Sequence, residues 1–136
     1  MYNHILVPIV FEHGNHGEDA LKIADQLVSD SGKITLLHVM EDVPAYAVSY
    51  IPEGIRDHHR EDAAERLGNL AEGVQADCEL AVIHGHASSS ILEYGENHDA
   101  DCIVLASHKP GFEDYFLGST AARVVRHAKC SVHVLR

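Results

Sequence analysis

The sequence predicts an α/β fold: a five-stranded parallel open sheet with helices on both faces. Three observations carry this prediction. Short apolar runs alternate along the chain with segments whose apolar positions recur at helical spacing, the βαβ pattern. The runs are continuous rather than alternating, as in strands covered on both faces. The length, 136 residues, is that of one domain, expected over residues 1–136 and long enough to bury about two-thirds of its unfolded surface.

The elements follow in order. Ile5–Val10 is a β-branched run that reads as the first strand. Pro8 cannot donate to a ladder, so it is expected where the strand leaves the sheet. His13–Gly17 carries turn residues. Ala20, Leu21, Ile23, Ala24, Leu27 and Val28 then form a helical stripe, with Gly32 expected to stop the helix. Ile34–Val39 is a second buried strand, and Glu41–Gly54, with Pro44 and Pro52, reads as a loop or flap. Ala63, Leu67, Leu70, Ala71 and Val74 place a helix over 55–74, weakened by Gly68 and Gly73 at roughly 1 kcal/mol each. Cys78–Ile83 is a more polar third strand, suited to an edge. Ser88, Ser89 and Ser90 offer N-caps to a short helix through Tyr94. Asp101–Ala106 is the fourth strand, 107–117 a loop, Ala121–Ala128 a helix and Ser131–Leu135 the last strand.

Composition excludes several classes of function. Ten Lys and Arg stand against 21 Asp and Glu, a net charge of −11, which opposes nucleic-acid binding through the general surface. No apolar run reaches the roughly 18–20 residues of a bilayer span, and the first eleven residues lack the basic start of a secretory signal. Cys78, Cys102 and Cys130 are odd in number and without Cys-x-x-Cys, which argues against a disulfide framework or zinc ribbon. A reducing cytoplasm is the expected compartment.

In an open parallel sheet, ligands bind beyond the carboxyl ends of the strands where strand order reverses. The loop from Ser107 to Thr120 holds the strongest signal there. Gly118 allows close backbone approach, and Ser119 and Thr120 place hydroxyls and amides at a helix N-terminus, which suits phosphate. Ser107, His108 and Lys109 can approach the same anion from the strand side. A loop ending in an ordinary N-cap is the plainer account of the triplet. Neither a Walker loop nor Gly-x-Gly-x-x-Gly is present.

Over almost its whole length the chain resembles the universal stress protein family. The resemblance rests on Ile5-Leu-Val-Pro8, Leu37-His-Val39, Gly85, Ala100-Asp-Cys-Ile-Val104, Leu117-Gly-Ser119 and Cys130-Ser-Val132. The stretch from Ala106-Ser-His-Lys-Pro110 through Ala122-Arg-Val-Val-Arg-His-Ala128 is similar to the short-loop enterobacterial members that bind ATP. The resemblance implies strand order 3-2-1-4-5, with the switch point between the first and fourth strands. It implies an adenosine pocket at Pro8, Ile9, Val10, Val39 and Ala106. On the phosphate side it implies Ser107, His108, Lys109, Gly118, Ser119 and Thr120. It further implies ATP (or ADP or AMP) with Mg or Mn, and a homodimer paired through the C-terminal strand.

The chain departs from the family pattern at named positions. Val10 stands where the family often has an Asp that holds the ribose hydroxyls. Ala106 replaces the first loop glycine, Lys109-Pro110 stands in place of the second, and Glu113 and Asp114 bring carboxylates into the loop. The expected function is therefore a cytoplasmic stress-response protein that binds an adenine nucleotide and acts as a regulatory homodimer. The alternative is a nucleotide-free interaction module with a vestigial pocket.

Other sites weigh less. The 12 histidines show neither His-x3-His on a helix nor a Cys-x2-Cys partner, so they read as scattered surface residues rather than metal ligands. Cys102 lies inside an apolar strand, where a thiol is inert. Ser119 is a conceivable phosphoryl acceptor, but no general base is positioned for it, so no catalytic residue is assigned. Arg123, Arg126, His127 and Lys129 match the negative end of the fourth helix.

Overall fold

The computed structural model describes residues 1–11, 16–41, 53–107 and 118–136. The strands are β1 (Tyr2–Pro8), β2 (Val28–Met40), β3 (Asp77–His84), β4 (Cys102–Ala106) and β5 (Ser131–Leu135). The helices are α1 (His16–Leu27), α2 (Glu53–Ala71), α3 (Ala87–Asn97) and α4 (Ser119–His127). All strand pairs are parallel, and the order is β3-β2-β1-β4-β5. The expected fold class and strand order both hold.

The apolar runs behave as their composition requires. Successive residues of β1 point to opposite faces. Ile5 and Val7 enter one core with Ala20, Leu21 and Ala24 of α1 and Leu67 of α2. Leu6 enters a second core with Leu37, Ile91 of α3, and Ala121 and Val124 of α4. Ile5, Leu6 and Val7 are therefore all fully buried, which explains why no polar residue interrupts them.

Some boundaries differ from expectation. Gly32 does not stop α1, which ends at Leu27. Register slips between Tyr2↔Val28 and His4↔Lys33, so residues 28–32 make a tight excursion at the start of β2. A Cβ on Gly32 would lie 2.7 Å from Val28 Cγ2 and 2.9 Å from the Asn3 carbonyl oxygen, and this close approach is what the glycine serves. Ser88 to Ser90 do not cap α3 either. His86 is the N-cap, and buried Ser88 places its hydroxyl 3.2 Å from His86 Nδ1.

Long-range polar contacts pin the strand starts. The Asp101 carboxylate accepts the amides of Asn3 and His4, both at 2.9 Å. Asp25 of α1 accepts those of Gln75 and Ala76 ahead of β3, both at 3.1 Å. His4 departs from the surface reading of the histidines, because it is only 6% exposed. Its Nδ1–H donates to the His98 carbonyl at 2.9 Å, which leaves Nε2 to accept the Thr35 hydroxyl at 2.7 Å. Burial without a polar mismatch follows.

Candidate functional site

Strand order reverses between β1 and β4, so their carboxyl ends flank a crevice. Pro8 is the last residue of β1, paired with Leu37, and the next ladder bond runs from Ile9 N–H to the Leu37 carbonyl at 2.8 Å. Ile9 turns its side chain into the α1–α2 core. Val10 leaves the sheet with its side chain 66% exposed. Val39 is half-buried on the opposite face, against the second core. Ala106 closes β4 beside Leu135.

Beyond β4, Ser107 is buried and donates its amide to the Leu135 carbonyl at 2.9 Å. Gly118 returns to the same place, and a Cβ built on it would lie 3.6 Å from the Ser107 carbonyl oxygen. The two ends of the 107–118 connection therefore meet at the mouth of the crevice. Gly118 is the N-cap of α4, and its carbonyl accepts the Ala122 amide at 2.8 Å. The amides of Ser119, Thr120 and Ala121 precede that first helical bond and have no partner within the helix.

The helix N-termini differ in charge. The first turn of α1 carries Glu18 and Asp19, which offset the positive end of its own dipole. The first turn of α4 carries no acidic residue, and among the described residues Gly118 has no side-chain cap bond. The first-turn amides of α4 thus start beside the end of β4, and no acidic residue of that turn offsets them.

Ser119 is exposed and Thr120 half-buried, both on that first turn. The structure brings Ser107, Gly118, Ser119 and Thr120 to one mouth, with Ala106 at its base. His108, Lys109, Glu113 and Asp114 lie outside the described residues, as do 42–52 of the expected flap.

Sequence reasoning missed the support behind β1. His38 donates Nδ1–H to the Ile9 carbonyl at 2.8 Å and packs against Phe11, ring centroids 4.7 Å apart. The Arg66 guanidinium covers Phe11 at 4.1 Å. Together they hold the peptide from which Val10 emerges. The signal lay in Leu37-His-Val39, where a polar residue interrupts a buried strand.

At the far end of α4, Arg126 and His127 occupy the last turn as expected, while Lys129 pairs with Glu96 of α3 at 2.5 Å. The thiols are poor nucleophiles. Burial, with smaller contributions from Cys130 and Asp101, pushes Cys102 up to about 11, and burial raises Cys78 and Cys130. Among the described residues, no group of three His, Cys, Asp or Glu side chains is placed to hold a metal. No helix among them is long and apolar enough to cross a membrane.

The model of the Universal stress protein family matches residues 1–136, and the chain belongs to that family. Universal stress protein G of Salmonella typhimurium is 30% identical over 142 residues, covering 100% of both chains. Among solved structures, hypothetical protein MJ0577 superposes with a TM-score of 0.83 at 24% identity, covering 99% of this chain and 96% of that one. A universal stress protein from Archaeoglobus fulgidus, in complex with dAMP, has a TM-score of 0.71 at 16% identity, covering 99% and 98%. An Arabidopsis thaliana family protein with AMP bound has a TM-score of 0.65 at 21% identity, covering 98% and 90%. At these identities the structures establish the shared fold.

Proposed function

We propose that this protein is a stress-response protein that binds an adenine nucleotide at the β1–β4 crevice. The observation that carries the reading is the first turn of α4, acid-free and led by Gly118 against the Ser107 carbonyl. Its amides, which precede the first bond of the helix, supply phosphate donors without desolvating a side chain. Pro8, Ile9, Val10, Val39 and Ala106 wall the nucleoside. Ser107, Gly118, Ser119 and Thr120 hold phosphate, with His108 and Lys109 on the same side. Neighbours of the same fold with AMP and dAMP bound support the ligand class. ATP is the nucleotide we favour. A Mg or Mn ion would offset its charge in a chain of net −11.

The working form is a cytoplasmic homodimer joined through β5, an outer strand of the sheet. Nucleotide occupancy sets the shape of the 107–118 connection, and a partner protein reads it.

Freshly purified protein, denatured and stripped of its chain, should release ATP, ADP or AMP identifiable by chromatography and mass. A titration with Mg-ATP up to millimolar follows if it releases none. Gly118→Val is the paired probe. The glycine has φ −57°, open to any residue, and its Cβ meets only an ordinary contact at 3.6 Å. The variant should fold normally and lose binding. Equal affinity in both proteins removes the phosphate assignment.

Exposed, apolar Val10 favours a second reading, a nucleotide-free interaction module of the same fold. Absence of any nucleotide binding at millimolar Mg-ATP would select it.

A further inference from the structure

We propose that His38 is a positioning residue of the β1–β4 crevice: it turns the main-chain N–H of Val10 toward β4, and that amide donates to a sugar oxygen of the bound nucleotide. The inference rests on the nucleotide reading and names the polar contact at its nucleoside end, where the Val10 side chain offers none.

Main-chain direction along β1 explains where the crevice opens. The His4 carbonyl accepts the Asp101 amide at 3.0 Å, on the β4 side, and the Ile9 amide donates to the Leu37 carbonyl at 2.8 Å, on the β2 side. Successive residues of a strand alternate in this way, so Leu6 and Pro8 also face β4. Pro8 has no N–H to give there. Pairing of β1 with β4 stops at Leu6↔Ile103, whereas pairing with β2 continues to Pro8↔Leu37. The two strands therefore part at the proline.

His38 sets the direction of the peptide that follows. Ile34 and Leu36 of β2 lie in the core beneath α1 and α2, and His38, two positions on, stands on the same face. Its Nδ1–H donates to the Ile9 carbonyl at 2.8 Å. Phe11 braces the imidazole, with ring centroids 4.7 Å apart, and the Arg66 guanidinium lies 4.1 Å over Phe11. Among the described residues no peptide is cis. The carbonyl and N–H of a trans peptide point in opposite directions. With the Ile9 carbonyl held toward β2, the Val10 N–H points away from β2, toward β4. Among the described residues it has no hydrogen-bond partner. A main-chain donor aimed before the ligand arrives costs no side-chain ordering on binding. A sugar hydroxyl oxygen has the lone pairs to accept it.

The test uses AMP, with amide NMR and hydrogen exchange as readouts. In the wild type the Val10 amide should move downfield along the same saturation curve as the Ser119 and Thr120 amides. At roughly nine-tenths saturation its exchange should slow about ten-fold, because only the free fraction exchanges. His38→Leu removes the donor and should weaken AMP binding about three- to ten-fold. His38→Asn returns an N–H near the position of Nδ1 and should bind within about two-fold of the wild type. Both variants lose the contact of the imidazole with Phe11, so a purely packing role would weaken them equally.

Shifts at Ser119 and Thr120 with neither shift nor protection at Val10 overturn the inference and leave the nucleotide reading standing. Equal AMP affinities in the two His38 variants do the same. No shift at any of these amides up to millimolar AMP overturns both. The wild-type exchange measurement needs neither variant, so it decides the matter even if His38→Leu does not fold.

Discussion

Replacing Val10 by Asp tests the nucleoside half of the proposed site. Val10 is 66% exposed, so a carboxylate there stays largely hydrated in the free protein and costs little to introduce. Surface substitutions of this kind change stability by about 0.5 kcal/mol or less. In the complex, hydrogen bonds from two ribose hydroxyls to a carboxylate contribute about 3 kcal/mol. Against this stands repulsion from the phosphates. Two unit charges roughly 8 Å apart near a protein surface repel by about 1–2 kcal/mol.

The net gain is about 1–2 kcal/mol, a five- to thirty-fold fall in Kd. Calorimetric titration of both proteins with adenosine, AMP, dAMP and Mg-ATP measures it. The gain should be largest for adenosine, smaller for Mg-ATP, and smaller for dAMP than for AMP, because dAMP lacks one hydroxyl. Equal affinities in the two proteins for every ligand, or an undiminished gain for dAMP, would refute the placement of ribose at Val10.

Gly68→Ala should stabilise the protein by about 0.5–1 kcal/mol, because the position is interior to α2 and the added Cβ lies 3.8 Å from Leu80 Cδ1. A lowered urea midpoint contradicts that reading. Gly85→Ala should destabilise by about 1–3 kcal/mol, since φ is +147° and the Cβ would collide with Ser90 Oγ. An unchanged midpoint would mean that α3 shifts freely at its N-terminus.

Cys102 gives a pH dependence whose sign is fixed. Its folded value, about 11, lies above the reference of 9.0, so the folded state holds the proton more tightly. The stability this contributes is complete below pH 9 and declines as pH rises towards 11, at a limiting slope of about 1.4 kcal/mol per unit. Urea unfolding at pH 8.5 and 10.5 should show the decline, and Cys102→Ala should reduce it. An equal decline in that variant would assign it elsewhere.

Much of this molecule was legible in its sequence for a local reason. Ile5 to Val7 and Cys102 to Leu105 are covered from both sides, so no polar residue fits there, and the pattern survives without a partner in view. Helical spacing similarly marked Ala20, Leu21 and Ala24 as one face. Gly118-Ser-Thr120 was visible because a helix start needs small or hydroxylic residues whatever lies opposite. The universal stress protein resemblance added the strand order.

Only the tertiary structure decided what depends on distant neighbours. Gly32 looks like a helix stop until Asn3 and Val28 close on it. His4 looks like a surface imidazole until Thr35 and the His98 carbonyl occupy its two nitrogens. Asp101 reveals its part only beside the amides of residues 97 and 98 positions away. The meeting of Ser107 with Gly118, and of Lys129 with Glu96, likewise comes from the crossovers. Local propensity and burial are written residue by residue, whereas a cleft exists only once separate segments are brought together in space.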